Sequence, residues 1–509
     1  MIRRLVLCAL LLVGGAFGAG AQATQVRLEV KDAGPGMGGP ILAHALAGPH
    51  IVVPPGPVTH TIAKDTTLGA TVIALGRDVV VSGTVRGDVI VVGADLYMYP
   101  GGNIEGRAIA IGGGVYESVL AKIAAGSMVY RDFTYEIAAI PGGYALSYKA
   151  VGGEPNEPVF SLPGIYGLRP PRYDRTDGLS LAVAPEIVVP GARTIIEPRI
   201  TYRSQLGAFD PSVRVTQPFS RVTALHAEVG RGTFSNEEWI RSDFINSAAT
   251  LFAGDDARNY FRATRGDVSL SRRWEGVVSS IEPYIGARAE SDRSARPNAF
   301  ARGGPWSLLN RGHRDDMLRP NPEIDAGTIV SLLGGAQYDW ADRGMVALIK
   351  LDGELGFLST DCDGCDLVSN PGFGQATVDG TITFPTFGLQ SLRVDAHLVV
   401  SSSETPRQRY AYVGGPGTIG TLEALERGGD QLVYFDARYS IPLTGVTLPL
   451  GISPVLSLRE VLAGAAVGQA PKLAQATGAR VTLAFLYVEY LADPSRRRGK
   501  FGVGFSAAR

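Results

Sequence analysis

Cysteine is nearly absent from this chain, with three residues in 509. Cys8 lies at the extreme N-terminus, and Cys362 and Cys365 are separated only by Asp363 and Gly364. A zinc site would need two further ligands at compatible spacing, and none is visible. Histidine is also scarce, at positions 44, 50, 60, 226, 313 and 397, and none stands in a metal-type or G-x-S-x-G context. No metal or cofactor is expected. An excess of one charge is missing too: 48 Lys and Arg face 49 Asp and Glu, a net charge of −1. That balance gives no electrostatic case for a nucleic-acid partner. Beyond the N-terminus no apolar run reaches the roughly 18 residues that a membrane-spanning helix requires. Glycine, at 65 residues, is what the chain has in quantity.

The first residues read as an export leader. Arg3 and Arg4 precede the apolar run Leu5–Val13, which is too short to span a bilayer, and Ala21-Gln22-Ala23 supplies a small-residue cleavage site. Residues 1–23 are therefore expected to be a signal peptide, removed together with Cys8. An exported chain without spanning helices is either soluble or a β-barrel. In an oxidising compartment Cys362 and Cys365 are expected to close a small disulfide clasp. A thioredoxin-like redox pair needs a strand-to-helix context that is absent here.

Residues 24–64 are dense in Pro and Gly and are expected to be irregular. A repeat follows. TVIALGRDVVV (71–81), VIVVGADLYM (89–98) and AIAIGGGVY (108–116) share one pattern, offset by 17 and then 19 residues. Each block is too small to bury its own apolar face, so stacking is the natural solution. A small β-solenoid over 65–135 is expected. The stretch RGDVIVVGADLYMYPGGNIEG (86–106) resembles the polymer-forming, bactofilin-type β-helix repeat, which implies a compact solenoid able to self-associate. Residues 136–172 (IPGGY, GGEPNEP, LPGIYGLRPP) lack periodicity and are expected to be a linker.

From residue 173 to 509 alternation becomes long and clean. Met345, Ala347, Ile349 and Leu351 lie on one face of their strand, with Lys350, Asp352 and Glu354 on the other. Val394, Ala396, Leu398 and Val400 oppose Arg393, Asp395 and His397. Both signs of charge recur on the polar face, and several runs exceed the five or six residues usual for globular strands. An apolar face in lipid and a charged face in a lumen fit this pattern. The expected fold is all-β: a sixteen-stranded antiparallel transmembrane barrel with a small N-terminal periplasmic solenoid. One of the sixteen expected strands covers 243–253. Long connections (293–323, 359–373, 403–430, 460–476) alternate with tight ones near Asp342, Thr386, Gly445 and Ala484, which places both termini in the periplasm.

Within YVGGPGTIGTL (412–422), Gly415, Gly417 and Gly420 fall at the G-x-G-x-x-G spacing of a dinucleotide loop. Such a loop must follow a buried strand and open a helix within a βαβ unit. Here it lies in a long connection between half-polar strands, so the cofactor reading fails. His397 beside Asp395 is the one faint hint of hydrolase chemistry, and a solvated lumen histidine is the preferred reading. Five arginines between 294 and 323 suggest contact with an anionic lipid or polysaccharide, against the default of a solvated lid.

The segment VGGPGTIGTLEALERGGDQLVYFDARYSIPL (413–443) resembles the sixth extracellular loop and following strand of the surface-antigen outer-membrane barrel family, the BamA/TamA-like assembly barrels. Gly414-Gly415, Gly417-Thr418-Ile419-Gly420-Thr421-Leu422, Gly429-Asp430 and Ile441-Pro442-Leu443 carry the likeness. YDRTDGLSLAVAP (173–185) resembles the family's opening strand, and TGARVTLAFLYVEYLADP (477–494) its penultimate hairpin. Gly414, Gly415, Gly417, Thr418 and Gly420 then form the lumen motif of a loop folded into the barrel. There are departures. Gly420 replaces the family's loop arginine, and its partner carboxylate is not evident in PVLSLREVLAG (454–464), so both halves of a charged lock are expected to be missing. The chain ends in Arg509 rather than an aromatic residue, and the solenoid stands where the family has POTRA modules. The resemblance implies a non-enzymatic outer-membrane barrel acting in protein assembly, translocation or pore formation. Its implied partners are outer-membrane lipid or lipopolysaccharide and other envelope proteins. The alternative is a structural anchor whose solenoid self-associates or tethers another envelope layer.

Overall fold

The computed structural model describes residues 26–505, apart from 119–120, 152–158, 190, 221, 296–318, 360–371, 403–404, 444–445, 447–453 and 484–485. The expected leader, Cys362, Cys365, most of the arginine-rich segment and Arg509 lie outside the described residues.

The repeat is a β-solenoid. Its strands stack in parallel register, with Val72 beside Val89 and Val89 beside Ala108, which reproduces the offsets of 17 and 19. Three sheets of five, four and four strands form its sides. In the five-stranded sheet, alternate residues point in opposite directions. Val72, Ala74, Val89 and Val91 fill the interior. Ile73, Leu75, Ile90 and Val92 point outward and are equally buried. Burial of both faces explains why VIAL, VIVV and AIAI are continuous apolar runs.

The segment expected to be irregular supplies the cover. Helix α1 (Gly38–Ala47) lays Ile41, Leu42 and Ala45 on the outward residues of that sheet. Beside it, Arg27–Asp32 runs parallel to Gly143–Ala150, which pairs antiparallel with Phe133–Ile140. This second sheet lies partly in the stretch expected to be a linker. Both expectations failed for one reason: the Pro and Gly residues mark turns between short elements, while the apolar residues between them pack on the solenoid. Leu42 is fully buried. Leu42→Ala is expected to cost about 2–5 kcal/mol of solenoid stability. Denaturant titration in detergent, read on the solenoid's own transition, checks this.

The remainder is one antiparallel sheet of nineteen strand segments, several of them pieces of one interrupted strand. Alternation behaves as the sequence suggests. Ile285, Val330, Leu332, Leu355, Phe357 and Val503 stand exposed on the outer surface, while Glu290, Asp292, His397, Asp436, Arg459 and Glu489 are buried on the other face. The sheet curls around those polar residues. Trp239, which follows strand Thr223–Phe234, stacks on His397 of strand Ser391–Ser401, 4.1 Å between ring centroids, although several strands lie between them in the sheet.

Residues 243–253, expected to be a strand, form helix α2 (Asp243–Ala253). Ser242 caps it by accepting the Ile245 amide at 3.4 Å, and Gly254 ends it with a left-handed φ of 70°. A cap serine and a C-terminal glycine around an i, i+4 pair (Ile245, Ala249) were the available signals. Strand Thr223–Phe234 instead pairs directly with Phe261–Arg272, and the broken segment Phe160–Ser161 and Arg172–Asp174, from the stretch expected to be a linker, adds an edge to the sheet. Strand Val455–Ala466 also extends through residues expected to begin a long loop at 460. Its inward residues Val461 and Ala463 are apolar because the connection between strands 391–401 and 431–442 packs on them.

Candidate functional site

The lumen is obstructed at both ends by the chain itself. At the long-loop end, residues 405–430 fold inward. A short ladder pairs Ala411–Val413 with Arg427–Gly429. Gly414, Gly415 and Gly417 have φ values of 138°, 81° and 98°, which side chains other than hydrogen rarely adopt. A Cβ on Gly414 would stand 2.4 Å from the Glu423 carbonyl oxygen, and one on Gly415 2.8 Å from Ala424 Cα. Thr418 Oγ1 accepts the Gly414 amide at 3.1 Å and donates to the Gly415 carbonyl at 3.2 Å. Val413, Ile419 and Leu422 are fully buried against inward Val461, Ala463, Ala476 and Leu491. The motif predicted from sequence therefore comes together as a folded turn.

Arginines hold this turn by its carbonyl oxygens. Arg459 donates to Thr418 O at 2.8 Å, Arg241 to Pro416 O at 2.9 Å and Arg319 to Ala424 O at 2.9 Å. A phosphate cradle presents amide N–H groups; this one presents carbonyls to cations, so its polarity is opposite to that of a dinucleotide loop.

Arg459 supplies a charged contact of another kind, which the sequence reading did not foresee. It lies in PVLSLREVLAG, on the barrel wall, and donates to Asp436 at 2.9 Å and Glu489 at 3.0 Å. Arg438 reaches Asp436 at 2.8 Å, and Arg480 reaches Glu489 at 2.7 Å. A Cβ on Gly420 would lie 3.4 Å from a Glu489 carboxylate oxygen. The cation of this clamp thus sits on the wall and meets the loop's backbone. A side chain at 420 would enter a cluster already holding three arginines and two carboxylates.

A second clamp opposes the first. Arg409, at the start of the folded-in segment, donates to Glu354 at 2.8 and 2.9 Å and to Glu290. Gln408 reaches Asp292 at 3.1 Å, and Asn236 donates to the carbonyls of Gln408 and Tyr410 at 2.7 and 2.9 Å. Glu237, in the same lumen-filling segment, has its carboxyl pushed up to about 7, chiefly by burial.

The solenoid sits at the opposite, tight-turn end. Arg107 and Arg86, one rung apart at one solenoid corner, donate to the carbonyls of Val277 and Gly388 in two barrel turns. Tyr130 donates to Glu275 at 3.4 Å, and His44 meets Asp342 at 3.1 Å. Asp342–Met345 closes the two-residue turn expected near Asp342, with Arg343 and Gly344 at positive φ. Between solenoid and wall lies a cavity of about 530 Å³, bordered by Ala124, Met128, Trp239, Lys350, Asp379 and Thr381.

Lys122, half-buried on the last rung, has its ammonium lowered to about 8 by burial and then by the Arg393 guanidinium. A free lysine titrates at 10.5. The docked solenoid therefore binds fewer protons than the free one between those values, so docking strengthens as pH rises through that window and is weakest below it. Lys122→Met is expected to tighten docking at neutral pH and abolish its dependence on pH above about 8. Protease protection of the solenoid as a function of pH measures both.

His397 is not placed for hydrolysis with Asp395. Asp395 is taken by Arg393 at 2.7 Å and Thr381 at 2.6 Å. His397 stacks on Trp239 and faces Asp379 at 3.0 Å. Sequence reasoning missed Arg409, Arg459, Arg241 and Asn236. Only Arg459 carried a signal, as a charge among inward small residues.

The chain is an all-β sheet of barrel type with a solenoid in its tight-turn mouth. No family model and no curated protein matches it. Solved structures do. CdiB from Escherichia coli is similar over 73% of this chain at 13% identity, with a TM-score of 0.40. CdiB from Acinetobacter baumannii is similar over 73% at 12% identity, with a TM-score of 0.38. BamA from Haemophilus ducreyi lacking POTRA domains 1-3 is similar over 73% at 11% identity, with a TM-score of 0.43. The match spans just under two thirds of each CdiB chain, 66% and 64%, and 75% of the BamA chain.

Proposed function

We propose that this chain is an outer-membrane β-barrel whose lumen is a gated passage for assembly or translocation of envelope components. One observation carries the reading. An outer surface lined by Ile285, Leu332, Leu355 and Phe357 encloses a lumen of ion pairs, and segments of the same chain obstruct both mouths. Exposed apolar residues on every part of a sheet suit hydrocarbon, and the charged inner face suits a polar path. Short turns and solenoid then face the periplasm, and the folded-in loop faces outward. A non-enzymatic passage is part of this reading; His397, the one hint of hydrolase chemistry, stacks on Trp239 and faces Asp379 rather than Asp395.

Docking of the solenoid on several turns favours a cap over a tether, so the anchor reading ranks second. Depleting the chain and quantifying outer-membrane and exported proteins tests the proposal. Loss of a defined subset of those proteins is expected. An unchanged set, with altered attachment between envelope layers, would instead favour the anchor.

A further inference from the structure

The sheet has two edges, and among the described residues no ladder joins them: the order runs from Phe160–Ser161 to Arg498–Phe505 without closing. The free side of the first edge is nevertheless occupied. The Tyr173 amide donates to Ser247 Oγ of α2 at 3.0 Å, and the Arg175 amide donates to Asp256 Oδ2 at 3.0 Å. Arg172 and Arg258 both pair with Asp243, in the first turn of α2, at 2.7 Å. The same helix packs against Arg172–Asp174 and against the last strand, Arg498–Phe505. Backbone groups that a closing strand would satisfy are thus satisfied by side chains from a helix and the segment behind it, one way of protecting a sheet edge.

The two faces of α2 differ. Ile245, Asn246, Ala249 and Thr250 are buried, with Asn246 donating to Asp256 at 3.0 Å. Phe244, Ala248 and Phe252, at i, i+4 and i+8, form a second stripe, in which Phe244 is 56% and Phe252 40% exposed. This stripe continues the apolar surface of the neighbouring edges, where Leu179, Phe501 and Val503 also stand exposed. The helix is about 16 Å long, enough to fill the outer part of the gap.

We propose that α2 is a wedge in the barrel seam, presenting its Phe244–Ala248–Phe252 stripe to the acyl chains of the bilayer. The inference rests on the membrane-barrel reading. Its commitment to lipid comes from continuity with the apolar outer surface and from the helix's place between the two edges. A helix held by a few side-chain bonds can leave the seam without breaking a strand ladder.

Tryptophan quenching in vesicles tests it on the full chain. Phe244→Trp, and Ala248→Trp as a second reporter should the first fail to fold, are compared with Phe357→Trp on the outer surface, each after subtraction of the parent signal. The reporter at 244 or 248 is expected to lose fluorescence to brominated acyl chains by about the same fraction as the one at 357, and to resist aqueous iodide. Quenching of 357 by brominated lipid, with 244 and 248 quenched only by iodide, overturns the wedge and leaves the barrel reading intact. No lipid quenching at any of the three positions overturns both.

Discussion

Arg409→Ala is expected to release the folded-in segment and to cost about 3–5 kcal/mol, the usual penalty for removing one partner of a buried ion pair. The guanidinium is 5% exposed and serves two carboxylates that are also buried. Glu290 keeps Arg265 at 2.7 Å. Among the described residues Glu354 keeps one direct hydrogen bond, from the hydroxyl of Ser331 at 2.5 Å. Most of the penalty therefore arises at Glu354, and Glu354→Gln in the Arg409→Ala background is expected to recover a large part of it. Denaturant unfolding of the four proteins of this cycle in detergent provides the measurement. Full additivity of the two changes would contradict a shared clamp.

Gly420→Arg is expected to have the next largest effect, and its sign follows from counting charges. Arg438, Arg459 and Arg480 already surround Asp436 and Glu489. A fourth cation near 4 Å from another costs about 4 kcal/mol at an effective dielectric near 20, offset in part by its own approach to Glu489. The loop is expected to leave the lumen and proteolysis of 411–430 to accelerate. Arg459→Gln alone loses bonds to Asp436, Glu489 and the Thr418 carbonyl but leaves Asp436 with Arg438 and Glu489 with Arg480, so its cost is expected to be smaller than that of Arg409→Ala. The double variant Gly420→Arg with Arg459→Gln moves the cation from wall to loop. It is expected to fold more stably than Gly420→Arg alone, with a coupling on the order of 1–3 kcal/mol. Absence of coupling would show that residue 420 and Arg459 do not share one site.

What could be read in advance depended on whether a segment's neighbours were local. The solenoid was legible because its partners lie one repeat away and bury both faces of VIVV and AIAI. The barrel strands were legible because an apolar outer face and a charged inner face impose a period of two. The glycine motif was legible as a turn, since Gly414 and Gly415 are needed wherever the backbone passes Glu423 and Ala424. Helix α2 was misread because DFINSAATLFA carries small and apolar residues on both faces, one buried and one exposed. The wall contact was missed for a related reason: Arg459 meets a loop carbonyl 41 residues away, and no sequence spacing links the two. Helix α1 was hidden by Pro and Gly at its ends and by a buried face whose partner lies in the solenoid.

The central claim is a membrane barrel closed at one mouth by its loop and at the other by its solenoid. Single-channel current in planar bilayers tests it most directly, comparing the full chain, a chain without 411–430, a chain without 26–150, and a chain lacking both. The account predicts little steady current through the full chain, brief openings when one closure is removed, and a stable ohmic current when both are gone. A full chain that conducts as well as the doubly trimmed one, or a doubly trimmed chain that inserts and never conducts, would contradict it.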